Sequence, residues 1–308
     1  AVLQKAKSLV KELLHVPDTH EVLFVQGGAS TQFAMVPMNL LKKKAAYLDE
    51  GAWSNKAIKE AKLFGEVNVL ASSKDKNYSY MPKGYTIPTD CDYLHITSNE
   101  TIHGTQVKTF PSSPIPVVCD MSSDIFSRPV DVSKFDLIYA GAQKNMGPSG
   151  VTMVIIRKDI VGKHGKTLPT MLDYKTHLDN DSLYNTPPVF GILVIMYTLE
   201  WLKSIGGVEG MAKINQQKFD LFYGEVDSNP MFVGTAAKED RSPMNACFLL
   251  NDSSLDEEFL AMTKAAGIVG IKGHRSVGGF RASMYNALPL DSVKALVQVM
   301  KEFANVKA

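Results

Sequence analysis

Lys144 lies in the run Ile138-Tyr139-Ala140-Gly141-Ala142-Gln143-Lys144-Asn145-Met146-Gly147-Pro148-Ser149-Gly150, and Asp120 closes an apolar run 24 positions earlier. A β run ending in a small-residue turn delivers this lysine to the rim of a sheet. Partial burial there favours the neutral amine over the ammonium. A neutral amine is a nucleophile and condenses with an aldehyde. Pyridoxal 5'-phosphate (PLP) enzymes use such a lysine, with an acidic group facing the pyridine nitrogen. Asp120 follows small and β-branched residues and has the right charge for that second role. Taken singly, Lys144 also reads as a plain loop lysine and Asp120 as a turn or helix-capping aspartate. Their pairing at two strand ends favours the chemical reading.

Other stretches carry compatible groups. Gly28-Ala29-Ser30-Thr31 opens a helix, where backbone N–H groups and the helix dipole attract an anion such as phosphate. The spacing matches neither nucleotide-binding glycine pattern, and a mere connector fits it as well. Trp53 follows a glycine, and its indole can stack on a flat heteroaromatic ring or simply fill a core. Thr101 can hydrogen-bond a phenolic oxygen, whereas His103 has no assigned role. Asn185 and Thr186 precede Pro187-Pro188, which fix an exposed turn whose side chains can donate to phosphate or cap the turn itself. The run 272–281 holds Lys272, His274, Arg275 and Arg281 among three glycines. Guanidinium forks suit carboxylate and phosphate, and the glycines let backbone approach a ligand closely.

The elements needed to position these groups are visible in the hydrophobic pattern. Strands are expected over 21–25, 45–49, 67–70, 93–97, 116–119, 137–140 and 151–156, alternating with helices over 31–41 (kinked near Pro37) and 55–64. This alternation predicts a mostly parallel sheet covered on both faces, with the candidate residues beyond the strand ends. An apolar helix over 190–203 leads out of that region. Helices over 208–226, 254–266 and 290–303, with strands over 245–250 and 282–285, describe a smaller α+β unit. The expected organisation is a large α/β domain over 1–203 and a small C-terminal α+β domain over 204–308. The chain opens on a helical apolar pattern at Val2, Leu3, Ala6, Leu9, Val10, Leu13 and Leu14, with no initiating Met and no capping residue ahead of it. It therefore reads as cut inside or just before a helix.

Composition limits the alternatives. The 308 residues are 45% hydrophobic and 21% charged, an ordinary globular profile. A net charge of +1 gives no field suited to nucleic acid or an anionic membrane. Three scattered cysteines, Cys91, Cys119 and Cys247, argue against a disulfide framework, and Cys119 reads as a buried thiol in a strand. The seven histidines show no ligand spacing, so no metal is expected. No run reaches transmembrane length and no signal peptide opens the chain, so a cytoplasmic location is expected.

Seven stretches together resemble the phosphoserine aminotransferase family, fold-type I PLP enzymes of the class V aminotransferase group. They are GGASTQF (27–33), GAWSNKA (51–57), NETIHG (99–104), VCDMSS (118–123), GAQKNMGPSGVT (141–152), SLYNTPP (182–188) and KGHRSVGGFRASMYNA (272–287). They span nearly the whole chain in the family's order. The resemblance implies that Lys144 is the Schiff-base lysine, that Asp120 pairs with the pyridine nitrogen, and that Trp53 stacks on the ring. It implies cofactor contacts from Thr101 and Gln143, and a phosphate-binding turn at Ala29 and Ser30. Asn185 and Thr186 would reach the PLP phosphate of a neighbouring subunit, which implies a homodimer. Arg281 would hold the substrate α-carboxylate, with His274 and Arg275 on the substrate phosphate. Some relatives carry arginine where this chain has Ser30. Family members also begin several dozen residues earlier, with a His-Arg pair for the substrate phosphate, so a fragment with little or no turnover is expected.

By the same resemblance, the reaction is amino transfer from glutamate to 3-phosphohydroxypyruvate, giving O-phosphoserine and 2-oxoglutarate in serine biosynthesis. A cysteine desulfurase would need a nucleophilic cysteine on a mobile loop, which none of the three cysteines offers. An alanine- or serine-glyoxylate aminotransferase would not use the surplus of basic groups in 272–281. An inert PLP-binding fragment is the remaining alternative.

Overall fold

Five strands run parallel in the central sheet because their apolar runs are covered on both faces. The computed structural model describes residues 1–275 and 277–307. In chain order, the first part contains α1 (Val2–Leu13), β1 (His20–Val25), α2 (Gly28–Leu40), β2 (Lys44–Asp49), α3 (Ala52–Ala61), β3 (Glu66–Ser72), β4 (Leu94–Thr97), β5 (Asn99–Glu100), β6 (Thr105–Gln106), β7 (Val117–Asp120), β8 (Leu137–Gly141) and β9 (Thr152–Arg157). The sheet order is β1-β9-β8-β7-β4-β2-β3. Strands β3, β2, β4, β7 and β8 are parallel neighbours, while β9 is antiparallel to both β8 and β1.

Strand residues alternate between two hydrophobic layers, as the two-residue strand period requires. Val117, Cys119, Ile138 and Ala140 face the layer built by Leu9 and Val10 of α1 and by Ile192, Ile195 and Leu199 of the later helix α5 (Val189–Ser204). Val118, Leu137 and Tyr139 face the opposite layer, with Phe33 and Met35 of α2 and Ala57 and Ile58 of α3. Every residue of β7 and β8 is buried.

After a short α4 (Tyr174–Asp179) and α5, the chain continues through α6 (Gly207–Ser228), β10 (Phe232–Gly234), β11 (Asn245–Leu250), α7 (Asp256–Ala265), β12 (Phe280–Ser283) and α8 (Leu290–Lys307). The antiparallel sheet β10-β11-β12 has its own aromatic core, with Phe222, Phe232, Phe248, Phe259, Phe280 and Phe303 fully buried or nearly so. No single helix among the described residues is long and apolar enough to cross a membrane.

The expected strands and helices are all present, with α4, β5, β6 and β10 in addition and α8 continuing to Lys307 rather than 303, and three boundary shifts bear on the candidate residues. Helix α2 begins at Gly28 rather than 31, because Gly27 and Gly28 take positive φ (97° and 68°) and let the chain enter the helix at once. Pro37 stays within it. Helix α3 begins at Ala52, so Trp53 belongs to a helical first turn, not to a loop. Strand β12 begins at Phe280, which puts Arg281 inside the strand rather than ahead of it.

Candidate active site

Three adjacent parallel strands end side by side, with Thr97, Asp120 and Tyr139 in register. Open α/β sheets bind ligands beyond these carboxyl ends. Asp120, the last residue of β7, is only 5% exposed. Its Oδ1 accepts from the Ser122 backbone N–H at 2.8 Å. Burial raises its pKa, and the Ser122 contacts and the Lys144 ammonium oppose that rise. Ser122 is therefore the group that fixes the carboxylate, and the Asp-x-Ser spacing is the sequence signal for it.

Lys144 follows β8 in the turn before β9, not on a strand. Its Nζ lies 5.7 Å from the Trp53 ring centroid. Burial lowers its pKa, and Asp120 and Glu100 pull it back up while the Arg281 guanidinium pushes it further down. Burial outweighs the pull of the two carboxyls, so this amine is less basic than a surface lysine and closer to its neutral, nucleophilic form.

Trp53 is held at both ends. Its indole Nε1 donates to Thr101 Oγ1 at 2.8 Å, and its backbone N–H donates to Glu100 Oε1 at 2.6 Å. The Thr101 carbonyl accepts from Arg281 Nη1 at 3.1 Å. Arg281 sits on β12 opposite Cys247, so one strand of the small antiparallel sheet reaches the rim of the large one. Lys144, Asp120, Trp53, Thr101 and Arg281 thus form a single constellation.

The remaining candidates lie around it. Ala29 packs in the same hydrophobic layer as Trp53, at the first turn of α2, and Ser30 is exposed beside it. Helix α2 has no side-chain cap, so no side chain claims its leading N–H groups. Asn185 lines a separate cleft of about 220 Å³ with Gly27 and Thr31. Thr186 is exposed next to it, and Gln143 is exposed beside Lys144. His274 lies close enough to His103 to lower its pKa further after burial, and Arg275 is exposed. His103, which carries no role in the sequence reading, packs against Tyr78 with ring centroids 4.9 Å apart and the planes tilted by 50°.

Sequence reasoning assigned nothing to Glu100. It is fully buried, its Oε2 has no hydrogen-bond partner, and burial pushes its carboxyl up to about 8. Glu50 is buried as well, with Oε2 accepting from the Thr97 N–H at 2.7 Å and burial raising its pKa. Glu100 lies in a two-residue strand and Glu50 just past the end of β2, positions that carry no periodic signal, so neither was legible from pattern alone.

The residues fit a flat, anionic aldehyde cofactor in their chemistry. They offer an amine of lowered basicity, a buried carboxylate at the next strand end, an indole face and an uncapped helix N-terminus. The aminotransferase class V family profile matches residues 1–296. The phosphoserine aminotransferase of Flavobacterium johnsoniae is 59% identical over 304 residues, covering 98% of this chain and 85% of that one. A solved phosphoserine aminotransferase from Bacillus circulans subsp. alkalophilus superposes with a TM-score of 0.97 at 49% identity, covering 100% of this chain and 87% of that one. The PLP-bound phosphoserine aminotransferase of Trichomonas vaginalis gives 0.92 at 38% identity, covering 97% of this chain and 87% of that one. With its lysine, aspartate and indole gathered at the strand ends of this fold, the chain belongs to the phosphoserine aminotransferases of the class V aminotransferase family.

Proposed function

We propose that this chain binds PLP through Lys144 and moves an amino group between glutamate and 3-phosphohydroxypyruvate, yielding O-phosphoserine and 2-oxoglutarate. The observation that carries the reading is the half-buried Lys144 amine, 5.7 Å from the Trp53 ring centroid, with the Asp120 carboxyl buried at the adjacent strand end. PLP, when bound, supplies an electron sink for the substrate's α-carbon. Asp120 would face the pyridine nitrogen, where its negative charge would favour the protonated ring. Trp53 offers the face against which the ring lies, and Thr101 and Gln143 border it. Ala29 and Ser30, at the N-terminus of α2, receive the cofactor phosphate. The Lys144 amine would be the base that takes the proton from the substrate's α-carbon. Arg281 grips the α-carboxylate with the donors its Thr101 bond leaves over, which orients the scissile bond. His274 and Arg275 hold the far phosphate.

A second copy of the chain completes the assembly. Val189, Phe190 and Tyr197 of α5 are 57%, 74% and 59% exposed, next to the equally exposed Leu183 and Tyr184. An apolar patch of this kind marks a protein contact, and Asn185 and Thr186, exposed at its edge, are the residues we assign to the neighbour's cofactor phosphate. The separate aromatic core of the C-terminal part supports a division into domains at 1–203 and 204–308.

The test is a visible absorption spectrum with added PLP, followed by O-phosphoserine. A yellow band that bleaches on substrate addition is the expected result. A band that persists would refute the transamination reading for these residues, and no band would refute the cofactor site. Sedimentation equilibrium reads the dimer.

A further inference from the structure

We propose that Glu100 is a positioning residue that sets the depth and plane of the Trp53 ring through the first turn of α3, with Thr101 fixing the other end of the same side chain. Helix α3 starts at Gly51, which has no side chain to cap the leading N–H groups. Ser54 Oγ accepts from the Glu50 and Gly51 N–H groups at 2.8 and 2.9 Å. The Trp53 N–H is left over, and Glu100 Oε1 accepts it at 2.6 Å from a different strand. A carboxyl group at a helix N-terminus satisfies one orphan donor and complements the helix dipole. Gly51 is what makes room. A Cβ there would lie 2.5 Å from Glu100 Cδ. The cap therefore comes from β5 because the local cap is absent, and it lands on the residue whose indole faces Lys144.

The neighbouring residues extend this clamp into both sheets. Asn99 Nδ2 donates to Ser123 Oγ at 2.8 Å and to Asn245 Oδ1 at 3.0 Å. The Thr101 carbonyl holds Arg281 at 3.1 Å while its hydroxyl holds the indole at 2.8 Å. Residues 99–101 thus tie the ring-stacking tryptophan to the arginine of the small sheet. Glu100 is fully buried, and the backbone N–H groups of Trp53 and Ser54, both in the first turn of α3, act on its carboxyl, the Trp53 bond being the short one at 2.6 Å.

The inference rests on the cofactor reading for its purpose but not for its test. The chain has two tryptophans, so Trp201→Phe leaves Trp53 as the single indole emitter. In that background, acrylamide quenching of the cofactor-free protein reports how Trp53 is held. Glu100→Ala and Glu100→Asp should raise the quenching constant about twofold or more, because one loses the acceptor and the other withdraws it by a methylene. Glu100→Gln keeps an acceptor oxygen and should restore the wild-type value. Circular dichroism should stay unchanged for all three. In the Trp201 wild-type background, the PLP dissociation constant should rise about tenfold for Glu100→Asp, a difference of roughly 1.4 kcal/mol. If Glu100→Ala does not fold, Glu100→Asp decides alone. Folded Glu100→Asp with unchanged quenching overturns the proposal. Increased quenching in a chain that never binds PLP would uphold the clamp and sink the cofactor reading instead.

Discussion

Gly51→Ala is the substitution that most directly tests how the helix bearing Trp53 is built. Gly51 has φ 155° and ψ −159°, a region open to glycine and strained for other residues. The new methyl would meet Glu100 Cδ and Cγ at 2.5 Å and Oε2 at 2.7 Å. Backbone strain costs about 1–2 kcal/mol. Driving Glu100 away breaks its bond to the Trp53 N–H and strands that donor, another ~1–2 kcal/mol. A total of about 3 kcal/mol is a large share of the ~5–15 kcal/mol that holds a protein folded. At roughly 2–4 °C per kcal/mol, cofactor-free protein should melt about 6–12 °C lower by scanning calorimetry. The mechanism requires the clash to vanish once Glu100 is shortened. Gly51→Ala combined with Glu100→Ala should therefore be less damaging than the sum of the singles by about 1–2 kcal/mol, because the lost Trp53 bond is counted once and Gly51→Ala then adds only the backbone strain. Strict additivity, or a melting shift under about 2 °C for Gly51→Ala, would refute the account.

Lys144→Ala should abolish the visible band formed with PLP while leaving the melting temperature of the free protein within about 2 °C, and a retained band would remove Lys144 from the reaction. Asp120→Asn removes a charge-assisted contact worth roughly 1.5–3 kcal/mol, so equilibrium dialysis should show PLP affinity falling about 10–100-fold; a change under about twofold would dismiss the pyridine pairing. Glu100 carries a pH signature as well. Burial raises its carboxyl from 4.5 to about 8, so the stability tied to its protonated form is complete below 4.5 and lost as pH rises through about 8. Urea midpoints of the cofactor-free wild type should therefore fall more steeply over that window than those of Glu100→Gln, and parallel curves would show that the acid is not buried as described.

The chemistry of the site was legible where a charged residue interrupts an apolar strand end. Asp120 stands out because it directly follows Val117-Val118-Cys119, and Lys144 because it lies just past the run Ile138–Ala142 with only Gln143 between, and a parallel sheet delivers such positions to one rim. The glycine turn at 27–28 was legible too, since only glycine enters a helix through two positive φ angles at low cost. Trp53 was legible as a ring but not as a helical residue, because its helix is capped from 47 positions away in sequence. Glu100 escaped notice for the same reason. Its two-residue strand is too short for any period to register, and its function comes from a single approach to a glycine across the sheet. Thr101 shows the limit in one residue. Its hydroxyl reads as a possible cofactor contact in the sequence, and in the fold that oxygen also accepts from the Trp53 indole, while its carbonyl, which no sequence reading considers, holds Arg281. Local pattern reveals which groups are unusual for their element, whereas the partners of those groups are set by backbone atoms of other elements. The sites where a mutation should act through a neighbour, Gly51 above all, are consequently those that only the three-dimensional arrangement exposes.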